Sequence, residues 1–173
     1  MLRKLLLKIT PHLPALRVIP NRDGDGDYLS RWYLLRKEAP KSSKEAERET
    51  GLNRKPDLYL HRFHMSDDGE MLHNHPWEWS LSFVLVGGYR EERRVGDKVI
   101  YREVRPFRFN FIRGDDYHRV DLYEEDAWSL FLVGPRVTTW YFWDRLRKMR
   151  LQWELFLDKE REHEWEPDSR ESA

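Results

Sequence analysis

Of seven histidines in 173 residues, three stand in phrases that could bind a metal: His73 and His75 in GEMLHNHPW, and His118 in IRGDDYHRV. Imidazole is a common ligand of divalent transition metals, and three of them leave coordination positions for water or a substrate. On an extended strand, side chains alternate between faces, so His73 and His75 point to one side and Asn74 to the other. His118 lies far along the chain and needs tertiary structure to bring it opposite the pair. Spacing alone fits either a shared metal or separate histidines hydrogen-bonded at strand ends.

The elements that must position them are mostly strands. YLSRWYLL, LYLHRFHM, SLSFVLVG, GYREERR, KVIYREV, RFNFI, HRVDL and AWSLFLVG are short aromatic or aliphatic runs. Gly, Pro and Asp clusters such as Ser66–Gly69, Gly96-Asp97 and Gly114–Asp116 separate most of them. Closely spaced strands with no helical pattern between them predict an all-β antiparallel sandwich or barrel. Residues 36–57 are polar and read as a solvated loop, with a helical turn in KEAERE. The arginines Arg90, Arg93, Arg94, Arg102, Arg105 and Arg108 alternate with glutamates, as on a solvent-facing sheet edge. After TTWYFW the period changes: Leu146, Met149, Trp153, Phe156 and Leu157 stand at helical spacing, predicting a C-terminal α-helix over 144–162 and a frayed tail over 164–173. MLRKLLLKITPHLPAL reads as a short amphipathic or dimer-packing segment.

Composition narrows the function classes. The length suits one domain spanning 1–173, able to take roughly 70% of its unfolded surface out of water. Lys plus Arg and Asp plus Glu both number 31, so no net field favours nucleic acid or an anionic membrane as partner. Cysteine is absent, which removes disulfides, thiolate metal sites and cysteine nucleophiles. No apolar run reaches the roughly 18 residues of a membrane span, and a cytoplasmic location is the expectation.

GEMLHNHPWEWSLSFVLVGGY resembles the first cupin motif, a glycine, then HxH, then a strand ending in glycine. FIRGDDYHRV resembles the second, a turn glycine followed shortly by histidine. The likeness runs from about Leu58 to Val137 and implies a double-stranded β-helix, the jelly-roll barrel, in which the two motifs occupy neighbouring strands. It also implies a divalent transition metal on His73, His75 and His118, iron(II) first, with zinc, manganese or nickel as alternatives. Cupins commonly place a glutamate ligand four or five residues after the second histidine, where this chain has Trp79 or Ser80. Glu78, one step early, is the candidate fourth ligand through a local bulge. A three-histidine centre of the cysteine dioxygenase-like kind is preferred.

Other polar groups are weaker candidates. His61 and His64 differ by three and so face opposite sides of their strand, which lets at most one line a cavity. Trp77 and Trp79 could wall a pocket or pack in the core. Arg113 and Arg119 could clamp a carboxylate, but the turn at Gly114 hides whether they share a face. NRDGDGDYLSRW is spaced like a calcium loop yet has Trp32 at its twelfth position, so an acidic turn is the better reading. The expected function is a non-haem iron dioxygenase acting on a small molecule. The alternatives are a zinc or manganese isomerase or hydrolase, with Glu78 or Tyr117 moving a proton, and a non-catalytic ligand-binding or structural cupin. A homodimer is compatible with each.

Overall fold

The apolar runs form strands because their side chains alternate between two environments and Gly, Pro and Asp end them. The computed structural model describes residues 1–22, 25–41, 55–67, 69, 71–157 and 166–167. Its strands are β1 Leu16–Pro20, β2 Asp27–Tyr33, β3 Asp57–Phe63, β4 Met71–His73, β5 Trp79–Val86, β6 Tyr89–Val95, β7 Lys98–Val104, β8 Phe109–Arg113, β9 His118–Leu122, β10 Ala127–Val133, β11 Tyr141–Asp144, β12 Met149–Gln152 and β13 Glu166–Pro167. Every described pairing is antiparallel. One sheet has the order β1-β2-β3-β10-β5-β8 and the other β13-β12-β11-β4-β9-β6-β7. From β3 to β10 the chain builds the blocks β3-β10-β5-β8 and β4-β9-β6-β7, the two faces of a jelly roll.

The first sheet is covered on both faces, which is why SLSFVLV and AWSLFLV read as near-continuous apolar runs. Inside the barrel, Tyr33, Tyr59, Trp77, Ile112, Phe131 and Val133 pack together. Outside, the N-terminal helix α1 (Leu2–Ile9) sets Leu6 against Trp32, Leu60 and Trp128, so the amphipathic segment serves as a lid on this sheet. A side chain as buried as Leu6 contributes about 2 kcal/mol. No helix among the described residues is long and apolar enough to cross a membrane.

Two expectations are corrected. The predicted C-terminal helix is a hairpin over its first part: β11 and β12 pair from Tyr141–Gln152 to Asp144–Met149. The Asp144 carboxylate accepts the amides of Leu146 and Arg147 in the turn, and Lys148 takes φ 53. Only α2, Trp153–Leu157, is helical; residues 158–165 lie outside the described set. The tail is likewise undescribed except for Glu166–Pro167, which pair with β12, and so is most of the polar loop, including KEAERE. The second correction concerns β6: Glu91, Glu92 and Arg93 are buried, so this strand is no solvated edge. One of its faces turns into the barrel, and Arg145 from the β11–β12 turn pairs with Glu92 at 2.6 Å on the other.

Candidate metal centre

Barrel closure brings the three histidines together. His73 ends β4 and stands directly opposite His118 on β9, their ring centroids 4.7 Å apart. His75 follows the strand, and Pro76 after it biases it to the extended conformation that keeps it on the face of His73. Its ring lies 4.9 Å from that of His118. The loop carrying it is pinned by Gly114. The Gly114 N–H donates to the Glu78 carbonyl at 3.0 Å, and a Cβ at Gly114 would come within 2.1 Å of the Trp77 carbonyl oxygen. Glycine is thus the residue that lets the two histidine phrases touch.

One ligand nitrogen from each of His73, His75 and His118 lies within 4.8 Å of the others. Each ring's Nδ1 faces a different oxygen. The His118 Nδ1–H donates to Glu91 Oε1 at 2.9 Å, since an ionised carboxylate only accepts. His75 Nδ1 meets Ser80 Oγ at 3.0 Å, and His73 Nδ1 lies 3.5 Å from Asp67 Oδ2. Outer partners of this kind fix ring orientation and tautomer at metal sites. The Nε2 atoms of His75 and His118 approach to 3.2 Å. Metal–nitrogen bonds near 2.0–2.1 Å separate adjacent ligand nitrogens by about 3.0–3.4 Å, so this spacing fits an ion bound by both. With the His118 proton on Nδ1, its Nε2 accepts from the His75 Nε2–H, and the Ser80 hydroxyl then donates to His75 Nδ1. A hydroxyl can reverse that role when His75 turns its lone pair toward a metal; a carboxylate could not.

Electrostatics favour neutral ligands. Burial lowers His73 to about 4, with Asp67 opposing, and pushes His75 well below its ordinary value, helped by His118 and His73. Glu91 is fully buried; burial alone would raise it, but bonds from His118 and Arg93 prevail and hold it at about 2. Arg93 reaches Glu91 at 2.8 Å and Asp116 at 3.2 Å, and the Asn110 amide donates to Glu91 at 3.0 Å.

Glu78 is exposed and outside the histidine group; the register that pairs Trp79 with Arg113 and Ser80 with Ile112 turns it away. Ser80, where a glutamate ligand was sought, supports His75 instead. The carboxylate that matters is Glu91, which sequence reasoning placed on a solvated face. Its one signal was parity: Tyr89, Glu91 and Arg93 share a strand face, which includes the buried Tyr89.

The histidines open into a cavity of about 470 Å³, lined also by Tyr28, Arg31, Tyr59, His61, Trp77 and Phe131. As strand parity required, His61 lines it and His64 does not; His64 bonds Ser30 at 2.8 Å. Trp77 walls the cavity, whereas Trp79 packs against Gly134. Tyr117, Arg113 and Arg119 are not among its lining residues. Asn21 and Asp25 of the acidic turn bond each other at 2.5 Å; Asp23 and Gly24 fall outside the described residues.

No family model matches the chain, and no curated protein does. Solved structures are similar in fold. A structure described as DMSP lyases RdDddP and RnDddQII is 15% identical with a TM-score of 0.54, over 79% of this chain and 64% of that one. DMSP lyase DddQ from Ruegeria pomeroyi DSS-3 is 17% identical (TM-score 0.47, 72% and 59%). Hydroxypropylphosphonic acid epoxidase from S. wedmorenis is 11% identical (TM-score 0.45, 69% and 55%), so the chain spans little more than half the epoxidase. These neighbours are cupin-fold proteins, and the likeness to the DMSP lyase structure is one of fold alone.

Proposed function

We propose that this chain is a metal-dependent enzyme of cupin type, a non-haem iron dioxygenase that holds iron(II) on His73, His75 and His118 and acts on a small molecule in the adjoining cavity. The observation that carries the reading is the match of three imidazoles, two of them buried, to three Nδ1 partners, which leaves the Nε2 atoms of His75 and His118 facing one another at the cavity wall. Imidazole suits iron, zinc, nickel and copper alike; iron is chosen because the group has no carboxylate, as in the three-histidine cupins that the motifs resemble. A bound iron(II) ion would supply open positions for substrate and dioxygen. The chain's own part is to keep the imidazoles neutral, to fix them through Asp67, Ser80 and Glu91, and to surround the substrate with apolar walls.

Metal analysis of protein purified without an affinity tag, after anaerobic iron loading, tests the centre. About one equivalent is expected, and less than about a tenth would overturn it, because such a site binds tightly. Oxygen uptake with turnover tests the reaction. Turnover that survives strict anaerobiosis would favour the second reading, redox-neutral chemistry on zinc or manganese. That reading is supported by Tyr28, which lines the cavity and donates to Asp67. Burial, then Asp67, raise its pKa well above the ordinary value, so it stays a neutral phenol at the cavity, a hydrogen-bonding group for a substrate oxygen. Tyr28 thus stands at the cavity where the sequence reading had Glu78 or Tyr117.

A further inference from the structure

Across the cavity from the histidines stands an arginine with no counter-ion among the described residues. Arg31 on β2 is half-buried and lines the cavity. Its Nε donates to His61 Nε2 at 2.9 Å, and its guanidinium carbon lies 5.0 Å from the Tyr59 ring and 5.7 Å from that of Trp77. No carboxylate among the described residues pairs with it, in contrast to Arg36 with Asp57 at 2.6 Å and Arg62 with Asp126 at 2.9 Å. Its two Nη groups are therefore left without a described protein acceptor. Cations withdrawn from water are normally paired.

His61 adds a second donor. Arginine only donates, so His61 Nε2 accepts and the ring proton sits on Nδ1. That Nδ1 is buried with no hydrogen-bond partner among the described residues. The one carboxylate among the described lining residues, Asp67, is already engaged by Tyr28 and the Val120 amide.

We propose that Arg31 receives the carboxylate of a small carboxylic acid, with His61 as an auxiliary donor, and that the rest of the acid extends toward His73, His75 and His118. The paired Nη groups match the two oxygens of a planar carboxylate. Stacking between aromatic rings orients the guanidinium, and Phe131 and Phe142 give the acid's apolar part a wall. Trp77 links the two ends, 5.8 Å from the His75 ring and 5.7 Å from Arg31. The proposal deepens the metal-enzyme reading and rests on it in calling the acid a substrate.

The test uses the full chain, zinc-loaded and metal-free, with acetate and 4-fluorobenzoate as probes and acetamide and 4-fluorobenzamide as neutral counterparts, followed by NMR. At least one acid should bind about tenfold or more tighter than its amide, the range of a charge-assisted pair. Arg31→Met should abolish that preference while zinc stoichiometry stays unchanged. Arg31→Lys, which keeps the charge and loses the fork, should reduce it by about threefold or more and serves where the methionine variant fails to fold. Equal binding of acids and amides to the unsubstituted chain, or a preference that survives the Arg31 variants, would overturn the proposal. If zinc does not bind but the Arg31-dependent preference persists, the metal reading fails and the carboxylate site stands.

Discussion

Replacing Glu91 with glutamine separates the stability of the barrel from the metal affinity of its candidate centre. The carboxylate is fully buried and accepts from His118 at 2.9 Å, from Arg93 at 2.8 and 3.1 Å, and from Asn110 at 3.0 Å. Removing one partner of a buried ion pair typically costs about 3–5 kcal/mol. Arg93 keeps Asp116 at 3.2 Å and the Phe111 carbonyl at 2.9 Å, which places Glu91→Gln at the lower end, about 3 kcal/mol by urea unfolding of the metal-free chain. His118 loses the anionic acceptor that fixes its tautomer, a change that typically lowers metal affinity by about 10–100-fold, read by zinc titration against a competing chelator. The double variant Glu91→Gln/Arg93→Met removes the buried cation, leaving only the exposed Arg102, 3.7 Å from Glu91, without its carboxylate, and should recover about 1–2 kcal/mol without recovering zinc affinity. A loss under about 1 kcal/mol together with zinc affinity within threefold would refute the assignment of Glu91 as the support of His118.

Three further outcomes follow from the same geometry. Gly114→Ala places a Cβ 2.1 Å from the Trp77 carbonyl oxygen; it should cost more than about 3 kcal/mol and weaken zinc binding by moving the His75 loop, and a near-neutral effect in thermal unfolding would contradict the pinning role. Glu78→Gln should leave zinc affinity within about twofold, because Glu78 is exposed and outside the histidine group; a tenfold loss would restore it as a ligand. Burial, then Arg31, hold His61 well below its ordinary pKa. A histidine kept neutral contributes stability fully above about pH 6.5 and loses it as pH falls toward its folded value. As pH falls below about 6.5 the metal-free chain should therefore lose stability to this residue, and His61→Gln should remove that contribution from the slope.

The barrel and its histidines were legible because both rest on local rules. Alternation placed His73 and His75 on one face, Gly114 announced the turn before His118, and the apolar runs marked the strands. The C-terminal hairpin was illegible for a definite reason: an aspartate opening an apolar-periodic stretch is the same signal whether its side chain caps a helix or closes a turn. In DRLRKMRLQW the Asp144 carboxylate takes the amides of Leu146 and Arg147. Strand pairing of β11 with β4 then outweighs helical spacing, leaving Leu146 80% exposed and Leu151 fully buried. Glu91 was missed because charge alternation normally marks a solvated face. Only the three-dimensional meeting of Glu91, Arg93, Asn110 and His118 makes burial of those charges affordable. Arg31 is of the same kind: nothing near it in sequence shows that no carboxylate among the described residues pairs with it.

The two sheets divide the chemistry between them. The sheet holding β4, β9 and β6 supplies His73, His118 and the buried carboxylate that orients His118. The opposite sheet supplies Ser80 behind His75, and also Arg31, His61, Tyr59 and Phe131 on β2, β3 and β10. A group of potential metal ligands on one wall and, on the other, a cation unpaired among the described residues define a direction for whatever lies between them. A bound acid is then oriented by its charge before any reaction begins, and orientation of this kind is a large share of what an enzyme can supply without chemistry of its own. On the proposed reading, the selectivity of the site should therefore reside in Arg31 and its distance from the imidazoles, while a metal held on the imidazoles and their three supporting oxygens would determine which reaction follows.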